Sequence, residues 1–233
     1  MNEAPLSVVI PVRDEAARLP LLLADLAAAP ADLLREVWVV DGGSRDGSAS
    51  LARLAGARTL ASAPGRGLQL KRGLSHCTGS WLLMLHADAR LPIGWPAGIA
   101  RAIASGSGTA WAFPLAIEAS GPALWLVGAL STLRSRWLGL PYGDQGLLLS
   151  RALYERCGGL KPLPLMEDLE FVLRLRRLAP IRLLGRPLRV DGRRWRRLGV
   201  WRTTWRNARL RRDWRRGVDP ALLARRYYGA RGG

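Results

Sequence analysis

Acidic side chains follow three apolar runs of the sequence, at the point where each run ends. They are Asp14 with Glu15, Asp41, and Asp88. The runs predict buried strands, and ligands bind at the carboxyl edge of the strands in an open α/β sheet. Carboxylates suit ribose hydroxyls, base N–H groups and divalent cations better than phosphate. The spacing therefore predicts one ligand site at this edge, although an Asp-Gly pair alone is an ordinary turn.

Glycines accompany these acids and would let the backbone approach a ligand closely. Gly42 follows Asp41, while Gly65 and Gly67 flank Arg66. A guanidinium on such a loop is free to pair with phosphate. We therefore predict Gly42 and Arg66 as ligand contacts.

His86 and Asp88 are two residues apart, so in an extended segment both side chains face the same way. Both could bind one metal ion whose shell is completed by pyrophosphate oxygens. Imidazole is less typical than carboxylate for Mg²⁺, which favours Mn²⁺ at such a site. The competing interpretation is that His86 only makes a hydrogen bond at the end of a strand.

Two acidic pairs lie farther along the chain. Glu167 and Asp168 open a predicted helix, whose N-terminal N–H groups would keep a carboxylate base ionised at neutral pH. Simple capping of that helix is the alternative. Asp144 and Gln145 lie in a glycine-flanked turn, where they could bind a polyhydroxylated ligand or form a plain Asx turn.

Positioning these residues requires an α/β fold, because strand and helix signals alternate along most of the chain. The predicted strands are 6–12, 36–40, 58–61, 81–85, 110–117, 146–149 and 181–190. The predicted helices are 15–29, one that ends near residue 55, 68–76, 94–104, 122–138, 152–157 and 167–178. We divide the chain into a catalytic domain, residues 1–195, and a helical tail rich in Arg and Trp, residues 196–233.

The positive charge is concentrated in the tail. The chain carries a net charge of +18, and residues 186–233 hold 16 arginines against three aspartates. This distribution predicts an anionic partner for the tail, which could be nucleic acid, a membrane surface or a phosphorylated substrate.

Several features favour a cytoplasmic location. Cys77 and Cys157 form no disulfide framework or ligand cluster, and the N-terminus lacks the pattern of a signal peptide. The longest apolar stretch, residues 119–133, has 15 residues. A spanning helix needs about 20, so we expect no membrane span.

The order of the motifs resembles that of family 2 glycosyltransferases, which are inverting enzymes with the GT-A fold, a Rossmann-like mixed sheet flanked by helices. The matching segments are SVVIPVRDE at 7–15, VVDGGSRDGS at 39–48, HAD at 86–88, MED at 166–168 and RRW at 193–195. The chain also looks like a small bacterial subgroup with LHAD-x-x-LP, PYGDQG and PLMED segments. Members of that subgroup are labelled as associated with radical-enzyme or arsenosugar gene clusters.

The resemblance implies a nucleotide-sugar donor, such as a UDP- or GDP-sugar, and a divalent cation, Mn²⁺ or Mg²⁺. Pro11, Glu15 and Asp41 would hold the base and ribose. Asp88 corresponds to the surviving carboxylate of the family's D-x-D metal motif, and His86 replaces its first Asp.

The resemblance also implies the catalytic roles. Asp168 would be the base that deprotonates the acceptor, and Glu167 would position it. Arg194 and Trp195 match the end of the Q-x-x-R-W motif of processive members and would lie near the acceptor or diphosphate, as would Asp144 and Gln145. Asp191 stands where that motif has Gln, which argues against a processive polymerase.

Two other functions compete with glycosyl transfer. A nucleotidyltransferase could share the fold, but it should carry a glycine-rich loop where residues 11–15 read PVRDE. A nucleic-acid-binding protein could use the Arg/Trp tail on stacked single strands, but this leaves the acids ahead of the tail unexplained. We therefore expect no nucleic-acid partner.

A stripe on the tail predicts contact with the inner face of the cell membrane. Leu198, Trp201, Trp205 and Ala208 recur at helical spacing, and Arg202, Arg206 and Arg209 repeat that spacing one position on. An arginine-rich helix with tryptophans beside its charges suits an interfacial helix on anionic lipid. The alternative is that these tryptophans pack on the catalytic domain.

Overall fold

The computed structural model describes residues 4–118 and 121–229, which form two sheets with helices around them. The strands are β1 Leu6–Val12, β2 Leu34–Asp41, β3 Arg58–Ala61, β4 Trp81–Met84, β5 Ala89–Arg90, β6 Ala110–Ala112, β7 Leu115–Glu118, β8 Leu147–Ser150, β9 Ile181–Leu183 and β10 Leu188–Asp191. The helices are α1 Leu19–Ala27, α2 Ser48–Leu54, α3 Arg66–His76, α4 Trp95–Ala104, α5 Pro122–Leu138, α6 Arg151–Arg156, α7 Glu167–Leu178, α8 Arg193–Leu198, α9 Val200–Arg215 and α10 Pro220–Tyr228. A short 3-10 helix covers Gly143–Gln145.

The larger sheet has seven strands in the order β3-β2-β1-β4-β8-β6-β9. β1 runs parallel to β2 and β4, and β2 runs parallel to β3. β8 is antiparallel to both β4 and β6. The predicted α/β class is confirmed, and the parallel half of the sheet brings the ends of β1, β2 and β4 to one edge.

The sheet has a core on each face, as the alternation of side chains along a strand requires. Val8 and Ile10 of β1 belong to one buried cluster, whereas Val9 belongs to the other. Helix α3 lies very close to the second face, because a Cβ on Gly73 would come within 2.4 Å of a methyl group of Val9. Only glycine permits this approach, which fixes the helix that begins at Arg66.

Proline and glycine divide two of the predicted strands. The predicted strand 110–117 is two strands, β6 and β7, that join different sheets on either side of Pro114. The predicted strand 181–190 is likewise divided into β9 and β10 by a turn that contains Gly185 and Pro187. The later halves, β7 and β10, pair with each other, and β10 also pairs with β5, in a second sheet of order β5-β10-β7.

The first helix begins later than predicted, because the residues after β1 form a loop. Asp14 has a left-handed φ of 55°. The N–H groups of Asp14 and Glu15 donate to the hydroxyls of Ser44 and Ser48, each at 2.9 Å. These bonds join the loop to the turn after β2 and to the start of α2.

The tail forms helices that pack against the rest of the chain. Leu210 of α9 and Leu223 of α10 form a buried cluster with Leu165, which lies just before α7. The predicted boundary between residues 195 and 196 falls inside α8. No helix among the described residues is long and apolar enough to cross a membrane.

Candidate active site

Segments distant in sequence meet beyond the carboxyl ends of β1, β2 and β4. They are the loop after β1, the Asp41–Gly42 turn, the His86–Asp88 segment, and the N-termini of α3 and α7. Side-chain contacts connect these segments in two groups. One group surrounds Asp41 and Glu15, and the other surrounds Arg66.

The first group builds a rigid turn after β2. The carboxylate of Asp41 accepts hydrogen bonds from the N–H and the hydroxyl of Ser44. Gln69 of α3 is buried, and its Nε2 donates to the carbonyls of Val12 and Val40 at 2.8 and 2.7 Å. A Cβ on Gly42 would lie 2.9 Å from that nitrogen, so a larger residue here would displace the Gln69 amide from its two carbonyl partners. Sequence reasoning missed Gln69, because glutamine in a helix carries no local signal.

The loop after β1 meets the segment after β10. Glu15 forms an ion pair with Arg193, while its other oxygen, Oε2, is buried with no hydrogen-bond partner among the described residues. Pro11, predicted beside Glu15 in the base site, is partly buried within β1. The predicted basic residue was Arg194, whose side chain lies outside the described part of the structure, and Trp195 is partly buried in α8. Sequence reasoning missed Arg193, which is one position away.

Asp88 is a buried carboxylate near Glu15, Asp191 and Arg193, so acidic neighbours outnumber basic ones. Burial raises its pKa to about 6, and the carboxylate of Glu15 adds to the rise, while Arg193 opposes it. A carboxylate in this environment is stabilised by a cation. Mg²⁺ and similar ions are often held by one or two carboxylates plus substrate phosphates, so Asp88 has the chemistry of such a ligand, and the ion at this position stays a prediction. No three-residue cluster of metal-binding side chains occurs within residues 4–118 and 121–229.

Arg66 is the centre of the second group. Its Nε donates to Glu167, its Nη1 lies 2.8 Å from His86 Nε2, and its Nη2 lies 3.2 Å from Asp168 Oδ2. All three nitrogen atoms thus contact side chains of the protein. Each Nη atom carries a second N–H, and the contact of Arg66 with phosphate stays a prediction. Arg66 holds the two acids at the start of α7.

His86 is a neutral hydrogen-bond acceptor in this arrangement. Arginine can only donate, so the Nε2 lone pair of His86 accepts from Arg66. Burial and the neighbouring Arg66 lower the pKa of His86 to about 3. Metal binding through Nε2 would require Arg66 to move, and the role of His86 as a metal ligand stays a prediction.

Asp168 is ionised and fixed in orientation. Its Oδ2 accepts from the Gly143 N–H at 2.7 Å, and its Oδ1 accepts from the Leu169 N–H at 2.8 Å. Burial alone would raise the pKa of Asp168, but Arg66 and these two N–H groups together lower it below its usual value. Its side chain is 20% exposed, whereas that of Glu167 is 1% exposed. Asp168 is thus the accessible carboxylate of the pair.

The residue before this pair is held by the tail. Met166 has a left-handed φ of 65°, which is unusual for a residue other than glycine. Its side chain packs against the buried cluster formed by Leu165, Leu210 and Leu223. Packing from α9 and α10 therefore supports the backbone that presents Glu167 and Asp168.

The 3-10 turn covers the second group and brings in two more arginines. The ring of Tyr142 contacts the guanidinium of Arg134 at 3.6 Å and that of Arg211 at 4.8 Å. Burial raises the pKa of Asp144, whose Oδ1 has no hydrogen-bond partner among the described residues. Neither arginine was predicted. Arg134 lies in α5, just before the turn, and its contact depends on how that helix packs, whereas Arg211 lies in α9, far from the turn in sequence.

Gln145, predicted to contact a ligand, is a structural residue. It is fully buried. Its amide nitrogen donates to the carbonyl of Phe113 at 2.9 Å, and its amide oxygen accepts from Ser135 at 2.7 Å and from Arg134 at 3.0 Å. Both ends of the amide are used within the protein, so Gln145 shapes the turn.

Comparisons with known proteins identify the family. The family model described as glycosyl transferase family 2 matches residues 7–160. Comparison of the sequence with curated proteins gives no match.

Several solved structures share the fold. S. aureus TarS is 16% identical with a TM-score of 0.65, over 80% of this chain and 36% of its own. A mannosyltransferase from Pyrobaculum calidifontis, in complex with GDP-Man and Mn²⁺, is 20% identical with a TM-score of 0.62, over 90% of this chain and 62% of its own. Glucosyl-3-phosphoglycerate synthase from Mycobacterium tuberculosis, in complex with Mn²⁺, UDP and phosphoglyceric acid, is 20% identical with a TM-score of 0.58, over 81% of this chain and 69% of its own. These likenesses confirm the predicted GT-A type of α/β fold. Because the family model covers more than half of the sequence, the chain belongs to glycosyl transferase family 2.

Proposed function

We propose that this protein transfers a sugar from a nucleotide-sugar donor to an acceptor hydroxyl or carboxyl group, with inversion at the anomeric carbon and Asp168 as the base. The observation that carries the proposal is the fixed, ionised and accessible carboxylate of Asp168 at the carboxyl edge of the sheet. Oδ1 accepts one hydrogen bond within the protein and keeps a second lone pair for the acceptor proton. Arg66, itself paired with Glu167, would fix the orientation of the Asp168 carboxylate and with it the direction of that lone pair.

The donor would lie along the first group of residues. Asp41, Gly42 and Glu15 lie at the ends of β1 and β2, where a base and ribose can meet carboxylates and backbone. The Pyrobaculum and Mycobacterium structures contain GDP-Man and UDP respectively, which supports a nucleotide-sugar donor here. The family subgroup suggested by the motifs stays a prediction.

A divalent cation would be held by Asp88. When bound, it would supply positive charge to the diphosphate leaving group. Both of those solved structures contain Mn²⁺, and the raised pKa of Asp88 supports a cation beside it. The chain's own residues would then orient the donor and remove the acceptor proton.

The tail would hold the protein on an anionic membrane surface. Trp201 and Trp205 of α9 are 65% and 66% exposed, and the neighbouring Arg202 and Arg209 are exposed as well. This exposure supports the prediction that the tryptophans form an interfacial stripe. It does not support the alternative, in which they pack on the catalytic domain. The opposite face of α9 packs inward through Thr203 and Leu210.

Donor binding and turnover test the proposed reaction. Purified protein is screened against a panel of nucleotide sugars by thermal shift with Mn²⁺ and with Mg²⁺. Release of the nucleoside diphosphate is then measured with the stabilising donor. We expect one class of donor to raise Tm and to be consumed. A salt-sensitive shift with oligonucleotides, and none with any nucleotide sugar, would favour the nucleic-acid-binding alternative.

A further inference from the structure

Helix α5 exposes a second apolar stripe that the sequence reading did not single out. Leu126, Leu130, Leu133 and Trp137 follow one another at spacings of four, three and four residues, and they are 38% to 76% exposed. This spacing places all four on one face of the helix. The buried positions Leu124, Gly128 and Ser135 lie on another face. Helix α5 is therefore apolar toward the core and toward solvent.

The stripe borders the candidate active site. At about 100° per residue, Arg134 lies about a quarter turn around α5 from the centre of the stripe. Arg134 contacts the ring of Tyr142 and the amide of Gln145. A surface that covered the stripe would therefore lie beside the turn whose Gly143 N–H binds Asp168.

Helix α9 flanks the same turn with a similar arrangement. It packs against α5, and its Arg211 contacts Tyr142 from the tail side. At about 100° per residue, Trp201 lies about 80° and Trp205 about 120° around α9 from Arg211, and both are exposed. Two adjoining helices thus each carry an arginine on Tyr142 and an exposed apolar stripe beside it.

The charge around the stripe indicates what covers it. Arg136 on α5 and Arg202 and Arg209 on α9 are exposed, and no acidic residue occurs in α5. A second copy of the chain would bring another net charge of +18 to the contact. Apolar side chains with arginines at their border suit an anionic lipid surface, where each cation near the membrane contributes about 1 kcal/mol.

We propose that the outer stripe of α5 inserts into the interface of an anionic membrane, as a second contact beside that of α9. The two contacts together place the Tyr142 turn, and with it the catalytic edge, against the lipid surface. The inference concerns binding alone, so it can fail while glycosyl transfer to a water-soluble acceptor is retained.

Binding of the full-length protein to vesicles tests this inference without donor or turnover. Flotation is measured with phosphatidylcholine vesicles that contain about 30% phosphatidylglycerol, at low and high salt. The variant Leu130→Ser/Trp137→Ser removes two exposed side chains, and Leu54→Ser/Ile93→Ser is the matched control, because those residues are 85% and 88% exposed on other segments. We expect the α5 variant to bind at least about tenfold more weakly and the control to bind like wild type.

Three results would overturn the inference. They are wild-type affinity in the α5 variant, no binding of the wild type at low salt, and an equal loss in the control. Sedimentation velocity tests whether a second copy of the chain covers the stripe instead. A dimer that the α5 substitutions dissociate, in a protein that does not bind vesicles, would assign the stripe to that second copy. Thermal unfolding of each variant, with Tm close to that of the wild type, excludes misfolding as the cause of a loss.

Discussion

Gly143 should be a sensitive test of how the carboxylate of Asp168, the proposed base, is positioned. A Cβ at this residue would lie 3.0 Å from Asp168 Oδ2, 3.0 Å from His86 Nε2 and 3.1 Å from Arg66 Nη1. The φ of Gly143 is not left-handed, so Gly143→Ala adds no backbone strain. The neighbours must instead move by a few tenths of an ångström. Because a displacement of about 1 Å can cost about 100-fold, we expect kcat to fall about 3- to 10-fold.

Steady-state release of the nucleoside diphosphate, with the donor found by thermal shift, measures this effect. Donor affinity should stay close to that of the wild type, because the turn contacts Asp168 rather than the Asp41 group. Gly98→Ala is the matched control: it lies within α4, and a Cβ there would meet nothing within 4 Å. Wild-type kcat in Gly143→Ala would refute the packing argument, and so would an equal fall in Gly98→Ala.

Three further predictions concern the tail, the metal and a cysteine. Leu223→Ala should lower the free energy of unfolding by about 2–5 kcal/mol, because Leu223 of α10 is fully buried against Leu165 and Leu210. Urea unfolding measures this change. A value under about 1 kcal/mol would mean that the tail is not part of the cooperative fold. Activity should require a divalent cation, with Mn²⁺ at least equal to Mg²⁺, and should fall in Asp88→Ala; full activity after exhaustive EDTA treatment would contradict this. Burial raises the pKa of Cys77 to about 12, so this thiol should not react with a thiol reagent at pH 8 until the protein unfolds, and rapid labelling of the native protein would show the burial to be wrong.

The sequence predicted the acids at the ends of the strands because local patterns mark them. Runs of β-branched residues define β1 and β2. Asp41 ends β2 and Glu15 follows β1, so both acids must lie at one edge of the sheet. Asp168 was placed by the motif resemblance and by its position at the start of a helix, where α7 indeed begins at Glu167. These features depend only on near neighbours in the chain.

The contacts that connect these acids depend on packing between distant segments. Arg66 reaches Glu167, which is 101 positions away, and Arg211 reaches Tyr142 from the tail. No local pattern distinguishes an arginine paired within the protein from one open to a phosphate. Gln145 was predicted to contact a ligand because a glutamine in a turn is usually exposed. Its burial could not be read from the sequence. The exposure of Trp201 could be resolved only once α9 was placed.

Replacement of the proposed base tests the central proposal most directly. Asp168→Asn keeps the shape of the side chain but removes its ability to accept the acceptor proton. We expect kcat to fall by about 100- to 10,000-fold, while the donor still raises Tm as in the wild type. Transfer within severalfold of the wild-type rate in Asp168→Asn, with donor binding intact, would show that Asp168 is not the base.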